Sequence, residues 1–282
     1  VELSIGTTSE AVDASMNQHG YVNVDAVAGM LNVDATEAAA LLVAHNDAYP
    51  DPATGQWVPT SVLLSGDVRA KAEAAAWRIT TGDGTGPWET IRLMLVDATP
   101  DDATPDTITV GIGTPWVPAD VYRQFGRETF GGDASIEHVT QTAEWRVTQT
   151  WAGVTGRAAW SASGYDPWHL LGAALNQRTI IVRREDGGGV DDVGTQAVAD
   201  KITEMQDAFA VWVFEDPDRT RLLLDRYNRV FRSRVPRRYN GAHLRFDGIA
   251  ADFEPYPHQL DAVARIVAGD SLVADGVGAG KT

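Results

Sequence analysis

Ser271-Leu272-Val273-Ala274-Asp275-Gly276-Val277-Gly278-Ala279-Gly280-Lys281-Thr282 is the stretch on which the reading of this chain turns. An apolar run, Leu272 to Ala274, leads into a glycine-rich loop ending in Gly280-Lys281-Thr282, the order strand, phosphate loop, lysine, hydroxyl. Backbone N–H groups of such a loop point at phosphate oxygens, Lys281 reaches the β- and γ-phosphates, and the Thr282 hydroxyl holds Mg²⁺. Strict phosphate-loop spacing would put glycine at 275, where the chain has Asp275. A plain glycine-rich tail is the alternative. The sequence stops at Thr282 without the helix that completes such a site. The expectation is therefore an internal piece of a longer protein, carrying half of a nucleotide site.

The 282 residues suffice for two or three domains. No run of 18 apolar residues occurs, so no transmembrane helix is expected. Cysteine is absent, which excludes disulfides and Cys-ligated zinc and fits a cytoplasmic location. The six histidines, at 19, 45, 138, 169, 243 and 258, never fall at metal-ligand spacing. The net charge of −16 argues against a uniformly cationic nucleic-acid surface. It conceals a local excess, because residues 219–245 hold nine arginines and one acid, Asp225, a balance of +8 against −24 elsewhere.

Working back through the chain, residues 1–77 read as a winged-helix-like module. Helices are expected from Thr8 or Ser9 to about Asn17, through Val24–Leu31, and from the cap Asp34, with Glu37 three residues on. Tyr49 and Trp57-Val58 flank a Pro/Asp/Gly turn that predicts a hairpin or wing, and a last helix runs from Asp67 to Trp77. The candidate recognition helix, 34–46, is acidic and has neither Arg nor Lys. Residues 78–106 read as a linker interrupted by one amphipathic piece, Glu89–Val96. Residues 107–185 read as a small α+β domain, with strands over Thr107–Gly111, Ile136–Val139, Glu144–Trp151 and Thr179–Val182. Its Trp145, Trp151 and Trp160 are expected in a core rather than on a base-stacking platform. Residues 195–247 read as a helical hairpin, broken at Asp216-Pro217. On its second helix Arg221 and Arg232 fall opposite the leucine face and Arg229 at its edge, whereas Arg219 and Arg226 lie nearer the apolar side. The outward arginines, with Arg234, Arg237 and Arg238 just beyond, suit a solvated face or a phosphate-contacting one equally. Residues 253–282 hold one helix, opened by Pro257-His258-Gln259, and then the phosphate-loop strand.

That last arrangement resembles superfamily-2 helicases, the Swi/Snf-like branch above all, through Pro257-His258-Gln259 and Asp275-Gly276-Val277-Gly278-Ala279-Gly280-Lys281-Thr282. Asp275 fits that branch, while Gly276 and Ala279 stand where it commonly has Glu and Leu. An ordered series upstream resembles the large DNA methylase–helicase proteins of phages and plasmids, the DarB-type antirestriction relatives. It comprises Leu64–Lys71, Gly113–Pro118, Glu144–Val147, Ala174–Asn176, Tyr227–Phe231 and Arg238–Leu244, with Asn240 and Ala242 where Asp and Ser are more usual.

The resemblance implies a RecA-like α/β motor beginning near residue 253, ATP and Mg²⁺ as cofactors, DNA as partner, and methylase and helicase domains flanking this segment in the parent chain. It implies that Gln259 contacts adenine, that Asp275, Gly276, Val277, Gly278, Ala279 and Gly280 form the phosphate loop, that Lys281 is the catalytic lysine on the γ-phosphate, and that Thr282 ligates Mg²⁺. The Walker B carboxylates and arginine finger would lie beyond Thr282, so little ATP affinity and no hydrolysis are expected of residues 1–282 alone. No methylase Asn/Asp-Pro-Pro-Tyr/Phe motif occurs. A non-enzymatic adaptor joining methylase and motor is the alternative reading. A phosphate-loop kinase is disfavoured by the long region upstream.

Overall fold

The computed structural model describes residues 6–82, 86–151, 157–184, 188–241, 244, 255–267 and 269. The described chain is mixed α+β and mostly helical, with two-stranded antiparallel sheets. It divides into two compact units. Residues 1–101 and 233–282 form one, and residues 102–232, inserted between them, form the other.

The first unit opens with three short helices whose starts are set by side-chain caps. Helix α1 (Thr8–His19) is capped by Thr7, ahead of the Thr8 or Ser9 the sequence suggests, because Thr7 and Glu10 form a reciprocal capping box, and it ends at Gly20 in the left-handed region. Asn23 caps α2 (Val24–Leu31), and the Asp34 carboxylate accepts from Glu37 N at 2.8 Å to start α3 (Ala35–Ala44). Strands β1 (Ala48–Pro50) and β2 (Trp57–Pro59) form the wing, with Tyr49 opposite Val58. Ala11, Val12, Val27, Ala38, Leu42 and Ala48 make the core between them. Fully buried Ser15 pins α1 to α2 by donating to Tyr21 O and accepting from Asn23 N.

A second core of this unit forms under α4 (Thr60–Leu63), β3 (Gly66–Asp67), α5 (Val68–Thr81) and α6 (Trp88–Ala98). The stretch 78–106 holds more than an interrupted linker: α6 runs three turns and buries Trp88, Ile91 and Leu95 with Leu63 and Val68. Lys71 holds this corner together. Its ammonium donates to Val62 O, Leu63 O and Ser65 O at 2.8, 3.0 and 2.9 Å, and lies 3.9 Å from Asp51 of the wing turn. A cation placed on the last carbonyls of α4 satisfies groups that the helix itself leaves open. Burial pushes the Lys71 pKa down, and Asp51 and Asp67 oppose that shift.

In the second unit, Ile108, Val110 and Ile112 alternate inward as a strand would, yet no ladder partner meets them and no strand forms. Helix α7 (Ala119–Thr129) follows Pro118. Strands β4 (Asp133–Val139) and β5 (Glu144–Trp151) pair with Ile136 opposite Val147. Helix α8 (Arg157–Trp160) is a single turn. Asp166, Asp191 and Asp216 cap α9 (Pro167–Leu175), α10 (Asp192–Trp212) and α11 (Pro217–Phe231). The strand expected over Thr179–Val182 does not form, because Val182 N donates to Thr195 Oγ1 and its carbonyl accepts from Asp191 N, tying the loop to the start of α10. The small α+β segment and the hairpin share one core, in which Phe209 of α10 lies 5.3 Å from Tyr122 and 5.2 Å from Phe125 of α7. Trp145 is buried there and Trp160 packs against its edge.

The chain returns to the first unit through β6 (Arg234–Val235), which pairs with β3, and Val68 N donates to Ser233 O at 2.9 Å. Helix α12 (Pro257–Val267) is the last described element. No single helix among the described residues is long and apolar enough to cross a membrane, and no group of three or more His, Asp or Glu among them is placed to hold a metal ion.

Two stability tests follow from these contacts. Lys71→Met takes the charged donor from the carbonyls of Val62, Leu63 and Ser65, of which Val62 O keeps Ser65 N and Oγ, and should lower stability by about 2–3 kcal/mol, read as a lower urea midpoint at unchanged slope. Arg123 grips Asp133 through two hydrogen bonds of 2.8 and 2.7 Å, and with that bond as the main cause the Asp133 carboxyl is lowered to about 2. A depressed folded pKa means the pair stabilises fully above about pH 4, the unfolded carboxyl value, and that this contribution is lost as pH falls towards 2. Asp133→Asn should flatten the acid limb of the unfolding curve across that window.

Candidate nucleic-acid interface

The arginines of residues 219–245 do different work. Arg219 on α11 is buried, at 6 % exposure. Its guanidinium lies 3.5 Å over the Trp212 ring and donates to Val213 O (3.0 Å) and Trp212 O (2.6 Å). It therefore caps α10 from the next helix, and Trp212 Nε1 is itself held by Glu128 at 2.8 Å. Arg221 and Arg229 are exposed but paired along their own helix, with Asp218 at 2.5 Å and Asp225 at 3.3 Å. Asp218 stands one residue outside the window counted as +8. Arg232, half-buried, closes α11.

Arg234, Arg237 and Arg238 belong to the first unit. Arg234 is exposed on β6. Arg237 and Arg238, with Tyr239 and Asn240, line a cleft of about 500 Å³ whose other walls are α1, the end of the wing and α12. The Arg237 guanidinium lies 4.7 Å over the Tyr239 ring, and its Nε is buried without a hydrogen-bond partner. Asp13 and Asp47 are the acids of the lining. A cleft with two guanidinium groups, an aromatic face and an unmet donor has the chemistry of a phosphate and base contact.

Gln259 lies in the first turn of α12. Its Oε1 accepts from Tyr256 N at 2.8 Å while Gln259 N donates to Tyr256 O, a helix-start cap. Tyr256 and His258 stack beside it at 5.7 Å. Gly241 N donates to Asp261 Oδ1, and a side chain at Gly241 would sit 2.0 Å from Leu260 O, so glycine is required where this segment meets α12. Asp275, Gly276, Val277, Gly278, Ala279, Gly280, Lys281 and Thr282 lie outside the described residues.

The pieces of the ordered series that fall in the second unit pack against one another. Trp145 Nε1 donates to Gly113 O, and Asn176 grips the Trp145 backbone by accepting from N at 2.9 Å and donating to O at 2.8 Å. A side chain at Gly113 would meet Leu175 O at 2.3 Å. Trp116 packs edge-on against Tyr227 and Phe231. Buried Asn228 accepts from Ala103 N at 2.8 Å. These roles for Asn176, Asn228 and Arg219 depend on long-range contacts and carry no local sequence signal beyond polar residues on apolar faces.

Two family models match. "Probable helicase, winged helix domain" matches residues 4–58, the region of α1–α3 and the wing. "Domain of unknown function (DUF8437)" matches residues 111–233, close to the span of the inserted unit. The chain is also 29% identical over 96 residues to Defense against restriction protein B of Escherichia phage P1, a stretch covering 34% of this chain and 4% of that protein. No solved structure matches. The chain thus carries a helicase-type winged helix and a distant likeness to a phage antirestriction protein.

Arg219→Ala should cost about 2–3 kcal/mol, because two carbonyls at the end of α10 lose a charged, stacked donor. Arg221→Ala should stay within about 0.5 kcal/mol. Paired thermal melts of the two variants check this.

Proposed function

We propose that this chain is the connector segment of a helicase-type, ATP-dependent DNA-acting protein, and that it touches DNA through the Arg237–Arg238–Tyr239 cleft. The observation that carries this reading is the cleft itself. It joins the winged-helix α1, two arginines with an unmet Nε donor, and α12, the helix that opens with Gln259. A DNA strand laid there would couple the helicase-type winged helix to the helix leading into the nucleotide loop. Arg221 and Arg229 are weak candidates, since each already has a carboxylate.

In this reading ATP and Mg²⁺ belong to the whole parent protein. Gln259, in the first turn of α12, is the residue we assign to the adenine edge. Lys281 and Thr282 take the γ-phosphate and Mg²⁺, and the N–H groups from Asp275 to Gly280 take the phosphates. The phage antirestriction likeness supports a mobile-element setting.

The DNA contact is tested by anisotropy of a labelled single strand and of its duplex across a salt series. Arg237→Ala/Arg238→Ala should weaken binding and reduce the log–log salt slope by about 2. Arg221→Ala/Arg229→Ala should leave both unchanged. An unaltered slope in the first pair would sink the assignment.

A further inference from the structure

The winged helix itself points to a different partner. Residues 4–58 contain seven acids, Glu10, Asp13, Asp25, Asp34, Glu37, Asp47 and Asp51, and not one Lys or Arg; the first cation of the whole chain is Arg69. A DNA-reading winged helix lays its third helix against phosphates and needs cations there. Here the exposed positions of α3 are Asp34, Ala35, Thr36, Glu37, Ala40 and Ala44. A duplex brought to α3 would meet the carboxylates of Asp34 and Glu37 and no cation on that helix.

The same face is hollow. A groove of about 720 Å³ runs between α3 and the aromatic walls Trp57 and Trp88. Thr36, Ala40 and Val43 lie along it at i, i+4 and i+7, the spacing of one helix face. Small residues on one side let another backbone approach closely, and the half-buried Trp57 ring on the other offers area at little entropic cost. The wall is fixed in advance: Arg78, the one charged residue of the lining, stacks on the buried Trp88 at 4.6 Å and donates Nε to Pro52 O at 2.6 Å, binding the wing to α5. The acids that flank the groove are Asp34 and Glu37, exposed at the start of α3.

We propose that this groove docks a cationic amphipathic helix of a protein partner. Apolar side chains of that helix at i, i+3/i+4 and i+7 fill the space between α3 and the two tryptophans, and its Lys and Arg face the acidic module. The inference stands independently of the DNA cleft, which uses other residues.

The probe is a Leu/Lys amphipathic peptide of about 15 residues, long enough to form a helix on binding, with a Leu/Glu counterpart, titrated into the 282-residue chain. The Leu/Lys peptide should bind. Ala40→Arg should weaken it at least tenfold and Ala40→Glu should tighten it, both variants keeping the wild-type circular dichroism and melting point, since Ala40 is exposed. DNA binding that depends on Arg237 and Arg238 should survive Ala40→Glu and Ala40→Arg alike. Equal binding of the two peptides, indifference to both substitutions at Ala40, no binding of the Leu/Lys peptide, or its displacement by duplex DNA would each overturn the proposal.

Discussion

The ammonium of Lys71 sits where the end of α4, the wing turn and the approach to β3 meet. It closes the carbonyl end of α4, draws in Ser65 O, and lies beside Asp51 in the wing turn. Ser65 is the residue before β3, and β3 is the partner of β6 across the insertion of residues 102–232. A two-residue ladder is too short to hold by itself. It is held because Asp67 both pairs with Arg234 and caps α5 through Ala70 N, while Val68 N reaches Ser233 O and the Val68 side chain is fully buried. One eight-residue piece, Leu64–Lys71, thereby ends a helix, pairs with the returning chain and starts the next helix. Winged helix, inserted unit and α12 can belong to one chain because that corner brings residues 66–68 and 233–235 together.

The inserted unit depends on polar groups acting as backbone. Asn176 offers Trp145 an acceptor and a donor, as a neighbouring strand would, at a strand residue whose outer edge has no third strand. Arg219 does the same for the end of α10. Asn176 belongs to one of the sequence pieces that suggested a methylase–helicase relative, and what it does in this unit is pack Trp145.

Local physics made much of this legible. The caps Asp34, Asp166 and Asp216, the wing around Pro50–Gly55, the paired strands ending at Val139 and beginning at Glu144, and the break at Asp216-Pro217 are all short-range events, and each lies where the sequence puts it or within a residue. Alternation misled twice for one reason. Thr107–Gly111 and Thr179–Val182 have inward and outward residues, but a strand also needs a partner ladder, and a partner is a tertiary fact. Arg221 and Arg229 show the same limit in the candidate site, since counting from Arg219 missed Asp218, and helical pairing removes charge that a sum along the chain retains. That Arg237 and Arg238 would share a cleft with α1 more than two hundred residues earlier was not readable from spacing. The phosphate-loop stretch keeps the standing it had from sequence, as it lies outside the described residues.

The net charge of −16 now has a distribution that separates two kinds of contact. The helicase-type winged helix carries acids alone through residue 58, and its third helix borders a groove of alanines and tryptophans. A guanidinium with an unmet Nε donor lies instead at Arg237, beside Arg238, on the far side of the same unit's sequence, against α1 rather than α3. The α3 face therefore carries carboxylates and no cation of its own helix, while the two arginines that follow the insertion line a separate cleft against α1, so the surfaces proposed above for a basic helix and for a nucleic-acid strand are built from different residues.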